Sequence, residues 1–212
     1  MEKARKVFGV GMSKTGTKTL GRCFQILGLT PCYSYDDELK KLVWQGRKVE
    51  SDGRPRSYDP NNLGLAPGTL ETIINVARDY RSFDDSPWYM LFRELDEAFP
   101  GSQFILTVRD TSLTQAESNW WHNVEHGTCS GSPSPDWIAN QIARYEAHNT
   151  AVLAYFAARP DQLITLCWDT GDEWRKLCAF LGVEVPRDAF PHLNRGSGRR
   201  RGQPHGDERG ET

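Results

Sequence analysis

The chain has 212 residues, with 26 lysines and arginines against 28 aspartates and glutamates and a formal net charge of −2. That balance gives no global electrostatic case for nucleic-acid binding, and the length suits one domain with a sizeable core. No long apolar run and no basic-then-apolar leader stands out, so neither a membrane span nor a secretory signal is expected. The five cysteines are scattered without a CxxC pair; Cys23, Cys167 and Cys178, in apolar surroundings, read as buried free thiols, and the chain as a cytoplasmic protein.

Residues 6–12 form an apolar, β-rich run that leads at once into a glycine-containing loop. Leu20, Cys23, Phe24 and Leu27 then recur at helical spacing, and Gly28 closes that helix, so the chain opens as strand, loop, helix. Residues 36–45 are expected to be a short amphipathic helix. Residues 46–68, rich in Gly, Pro, Asn and Ser, read as a surface loop. A helix follows over 69–78 and a short strand over 80–84. Pro87 then opens a helix over 88–99 with Leu91, Leu95, Ala98 and Phe99 on one face. QFILTV at 103–108 is the clearest buried strand and ends in Arg109-Asp110. Helices over 113–122, 137–158 and 172–181 and a strand over 163–167 complete the domain. Residues 1–195 are read as that domain and 196–212 as a basic, mobile tail. Alternating strands and helices imply an α/β domain with a mainly parallel sheet, whose ligands bind at the carboxyl ends of the strands.

The loop VFGVGMSKTGTKTL (7–20) almost spells G-x-x-x-x-G-K-[ST], the phosphate loop of triphosphate enzymes. Gly11 and Gly16 fit; Thr17 stands where the lysine belongs, and Lys18 comes one place late. Backbone N–H groups converging at a helix start bind an anion through unpaired donors and the helix dipole. Ser13, Lys14, Thr15, Gly16, Thr17, Lys18 and Thr19 offer that cradle, with hydroxyls and two cations. FILTVRD puts Arg109 at a strand end where a triphosphate enzyme needs a magnesium-holding aspartate. A cation there suits a second phosphate; its plainer use is an ion pair with Asp110.

SKTGTKTL resembles the 5′-phosphosulfate loop of sulfotransferases, and TVRD followed by a helix carrying Ser118 resembles their 3′-phosphate site. CWDTGDEWRKLCAFLGVEVPRDAFPHLN (167–194) resembles the C-terminal signature of a bacterial and animal branch of the same superfamily. The resemblance implies a three-layer P-loop-type fold, a central mainly parallel sheet flanked by helices. It also implies 3′-phosphoadenosine 5′-phosphosulfate as sulfuryl donor, no metal, and a small-molecule or carbohydrate acceptor presenting a hydroxyl or amine.

It further implies that Lys14 stabilises the leaving phosphate and that Arg109 pairs with the 3′-phosphate. The family serine falls at the Glu117 position, with Ser118 one residue later, so either the turn holds an extra residue or that contact is lost. In FDDSPW, Asp85 stands where many members carry a catalytic histidine. Asp84 or Asp85 serves either as the base or as a cap on the helix at Pro87. His122 and His126 either line an acceptor pocket or face water; His148 reads as a packing residue. The late basic run, Arg195 with Arg199 to Arg201, either closes the donor site or is a solvated tail. Two rival readings remain: a P-loop kinase, and a non-catalytic nucleotide-binding protein of the same fold. Acceptor identity and oligomeric state are not legible.

Overall fold

The computed structural model describes residues 5–32, Pro60, Leu65 and residues 68–193. The expected helix at 36–45, most of the loop at 46–68, Arg195 and the basic tail lie outside the described residues.

The elements run β1 (Val7–Gly9), α1 (Thr17–Ile26), β2 (Pro31–Cys32), α2 (Thr69–Ala77), β3 (Ser82–Phe83), a 3-10 turn (Trp88–Leu91), α3 (Phe92–Ala98), β4 (Gln103–Val108), α4 (Ser112–Glu125), α5 (Pro135–Phe156), β5 (Leu163–Cys167), a second 3-10 turn (Trp168–Thr170) and α6 (Trp174–Leu181). The strands make one sheet in the order β2-β3-β1-β4-β5, and every pairing is parallel. The expected parallel α/β architecture is therefore what the chain forms.

Strand alternation divides the interior into two cores. On one face Phe8, Phe83, Phe104 and Leu106 pack with α2, the first 3-10 turn, α3 and α5, through Ile73, Trp88, Phe92 and Phe156. On the other, Val7, Ile105 and Leu166 pack with α1 and α6 through Leu20, Phe24, Trp174 and Leu177. Helices thus cover both faces, giving three layers. β4 and β5 fall where their bounded apolar runs place them. The expected helix at 88–99 instead begins as a 3-10 turn and becomes α-helical only at Phe92. β2 adds a short edge strand beside β3. No helix among the described residues is long and apolar enough to cross a membrane.

Candidate active site

The carboxyl ends of β1, β3, β4 and β5 converge on the loop between β1 and α1. Three contacts press that loop onto its neighbours. A Cβ on Gly11 would lie 2.0 Å from Thr107 Oγ1, so only glycine lets the loop run directly over β4. Thr15 is fully buried; its hydroxyl donates to Met12 O at 2.6 Å and lies 2.7 Å from Thr107 Oγ1, which makes Thr107 the donor to Thr15. Gln115 on α4 donates from Nε2 to Ser13 O at 3.0 Å.

Gly16, in the left-handed region at φ 87°, turns the loop into α1, which starts without a side-chain cap and without an acidic residue in its first turn. A helix start of this kind leaves its first N–H groups and the positive end of the dipole to an anion. The threonine hydroxyls expected to meet that anion are each engaged inside the protein. Thr15 is used as above, Thr17 Oγ1 donates to Asp85 Oδ2 at 3.1 Å, and Thr19 Oγ1 accepts from Leu193 N at 3.1 Å. Ser13 and Lys14 are half-buried and Lys18 is exposed. The loop's own chemistry thus rests on N–H groups and lysines, with the hydroxyls shaping it.

Among the described residues, non-glycine side chains on a positive φ occur at Lys14 (71°) and Asp85 (65°). Such conformations cost energy and persist where the surroundings hold them, commonly at functional sites. Burial lowers the Lys14 ammonium pKa; the Asp85 carboxylate opposes that, Lys18 reinforces it and Glu125 opposes it again. Lys14 thus sits where opposite charges meet at the end of β1. Asp85 accepts Ser86 N on Oδ1 at 2.8 Å and Thr17 on Oδ2, while the 3-10 turn that follows has no side-chain cap. The capping role open to this aspartate in the sequence is not the one it performs. Asp84, its neighbour, faces α1 instead: a Cβ on Gly21 would lie 2.9 Å from Asp84 Oδ2. Burial first, then Asp85, pushes its carboxyl up to about 7.

Arg109 leaves the end of β4. Its Nε donates to Asp169 Oδ2 at 2.6 Å, its Nη1 to Lys14 O at 3.2 Å, and its backbone N–H to Tyr145 Oη at 3.0 Å. The ion pair with Asp110 that the sequence offers is replaced by one with Asp169, 60 residues on. On α4, Ser118 lies on the stripe that carries Gln115 and His122, and it is half-buried; Glu117 is exposed. His122 is close enough to Lys14 to feel its charge: burial, then Lys14 and His126, lower its pKa, with Glu125 opposing. The His122 and His126 rings lie 4.0 Å apart at a tilt of 51°, and among the described residues no group of three or more metal-type side chains gathers around them.

His148 is buried, its Nε2 2.7 Å from Val10 O, and Trp88 and Tyr89 belong to the core. Trp120 packs on Trp137, whereas Trp121 is exposed. Trp168 and Asp169, both in the second 3-10 turn, are given no role by the sequence alone; the signals for them are their position directly after a clear strand and at the start of the 167–194 stretch. Trp168 Nε1 donates to Gly16 O at 3.3 Å, and its ring fills the space a Gly16 side chain would need.

A family model described as a sulfotransferase domain matches residues 6–125 and 111–198. A curated relative, Ava biosynthesis cluster protein M of Aspergillus versicolor, is 22% identical over 224 aligned positions, covering 89% of this chain and 80% of that protein. Among solved structures, the sulfotransferase domain from the curacin biosynthetic pathway matches with a TM-score of 0.49 and 15% identity, over 87% of this chain and 76% of that one.

Proposed function

The chain belongs to the sulfotransferase domain family, and from that membership we propose that it transfers a sulfuryl group from 3′-phosphoadenosine 5′-phosphosulfate to a hydroxyl or amine of a small-molecule or carbohydrate acceptor. The observation that carries this reading is that Lys14 and Asp85, a cation and a carboxylate both on left-handed backbone, lie near enough to feel each other's charge beside an uncapped helix start. The donor set fits the nucleotide. The N–H groups and Lys14 suit its 5′ end, and Arg109, at the next strand end, suits a 3′-phosphate through a bidentate fork. Ser118 adds a hydroxyl on the helix after Arg109.

Bound there, the donor supplies an activated sulfuryl group. Lys14, half withdrawn from water, places positive charge where a leaving phosphate gains negative charge, and so favours bond cleavage. Asp85, oriented by Thr17 and the Ser86 N–H, takes the acceptor proton. His122, also near Lys14, is the second candidate for that proton.

Calorimetric titration with 3′-phosphoadenosine 5′-phosphate, against ATP with magnesium, tests the donor site. Micromolar binding of the bisphosphate, about −8 kcal/mol, lost in Arg109→Ala, is the expected outcome. Tighter ATP binding would instead make the loop a variant triphosphate site. Lys14→Ala should lower turnover by roughly 10²–10³-fold while weakening the bisphosphate much less, because Lys14 acts on charge that develops during transfer. Asp85→Asn should abolish turnover with binding kept. If His122→Ala does so and Asp85→Asn does not, the proton goes to the histidine.

A further inference from the structure

We propose that Asp169 is the positioning residue for Arg109, and that the turn after β5 sets the spacing between the two phosphate sites of the donor. The inference rests on the donor reading proposed for the site.

The turn holds both halves of the site at once. Asp169 Oδ2 accepts Arg109 Nε at 2.6 Å and the Asp110 backbone N–H at 3.1 Å, so one carboxylate oxygen fixes the arginine and the backbone just beyond its strand. Nη1 of the same guanidinium reaches Lys14 O at 3.2 Å, which ties Arg109 to the phosphate loop. One residue earlier, Trp168 donates to Gly16 O, and its Cδ1 lies only 2.2 Å from where a Gly16 Cβ would stand. Trp168 is braced in turn by Phe190 at 5.1 Å between ring centroids, and Phe190 by Trp174 at 5.2 Å. Two adjacent side chains therefore grip the glycine that shapes the 5′ cradle and the arginine that serves the 3′ end.

The choice of nitrogen matters. Asp169 takes Nε, on the stem side of the guanidinium, and leaves Nη2 and the second Nη1 proton at the outer end for an incoming anion. A carboxylate competing for the phosphate position would be expected on the outer nitrogens. Arg109 and Asp169 are both partly exposed, at 25% and 29%, so the pair adds little as an isolated surface contact. Its value lies in orientation, since a long side chain held in one geometry loses less freedom when the ligand binds.

The experiment compares affinities for 3′-phosphoadenosine 5′-phosphate and adenosine 5′-monophosphate in wild type, Asp169→Asn, Arg109→Ala and the double variant. Thermal midpoints are recorded for each, and Asn is used because it keeps the side chain's shape. The expected result is that Asp169→Asn reduces the preference for the bisphosphate by roughly tenfold, with monophosphate affinity within about twofold of wild type. The double variant should show no preference smaller than that of Arg109→Ala alone. Equal losses for both nucleotides would reveal a merely structural residue. An unchanged preference, or tighter bisphosphate binding, would also overturn the proposal, the latter by making Asp169 a competitor. If wild type itself shows no preference for the 3′-phosphate, the donor reading fails and takes this inference with it.

Discussion

Asp84 follows β3 directly, with its carboxyl against α1 beside Gly21, and burial together with Asp85 raises its pKa to about 7. An acid whose folded pKa exceeds its unfolded value of 3.8 holds its proton in the folded state across that window. The folded chain then binds more protons than the unfolded one, so stability falls as pH rises from about 4 to about 7 and levels off beyond. Asp84→Asn removes the titration. In urea denaturation its advantage over wild type should widen between pH 5 and pH 8 by roughly 2–3 kcal/mol; a gap that stays constant with pH would mean that Asp84 ionises freely in the fold. Not all of this site is legible in single residues. Lys14 and Arg109 stand out because a cation in a glycine loop and a cation at a strand end each carry local meaning. Asp169 does not, because nothing within its own turn marks it as the partner of an arginine 60 positions earlier. The threonines of the loop are legible as loop residues, but what each hydroxyl does is not. Whether it meets a ligand or a neighbouring strand depends on Thr107 and Asp85, which the fold alone brings close.

At the scale of elements, what reads clearly is what is self-contained. β4 is a six-residue, mainly apolar strand that ends at an arginine, and α4 begins one residue after Thr111, whose side chain accepts from Thr114 N. β2 and β3 are two residues each and exist as strands through pairing with one another and with β1, so their own residues say little. α2 shows the same dependence. Its C-terminal carbonyls are taken by Lys6, a residue just before β1, whose ammonium donates to Ala77 O at 2.8 Å, Arg78 O at 3.1 Å and Tyr80 O at 2.5 Å. The ammonium also lies 4.9 Å from the centre of the Phe99 ring. A buried cation so fully coordinated acts as a cap supplied from another segment. Lys6→Met keeps the aliphatic stem but leaves the carbonyls without that donor. It should cost roughly 2–4 kcal/mol in urea denaturation. Nucleotide affinity of the remaining folded protein should be unchanged, because these contacts lie at the end of β1 away from the loop. A loss below about 0.5 kcal/mol would show that water serves those carbonyls equally well.

For the whole molecule, the sheet order matters more than any one strand. β1 and β4 are central neighbours, so the loop between β1 and α1 and Arg109 emerge side by side from the same sheet edge, with β3 delivering Asp85 on one flank and β5 delivering Asp169 on the other. β1 and β4 are buried between the two cores, and the loop is further tied to β4, α4 and the turn after β5. A ligand spanning the loop and Arg109 therefore touches segments that come together only in the folded chain, and the unfolded chain offers no comparable site. Linkage then requires that the ligand raise stability by an amount set by its concentration relative to Kd. At a hundredfold excess over Kd the gain is about 2.7 kcal/mol, which for a chain of this size corresponds to a rise in Tm of roughly 5–10 °C. 3′-Phosphoadenosine 5′-phosphate should produce that rise in a thermal scan. Arg109→Ala, compared at the same absolute ligand concentration, should lose most of it, because weaker binding lowers the ratio to Kd. A variant that keeps the full rise would place the bound nucleotide's second phosphate somewhere other than the end of β4.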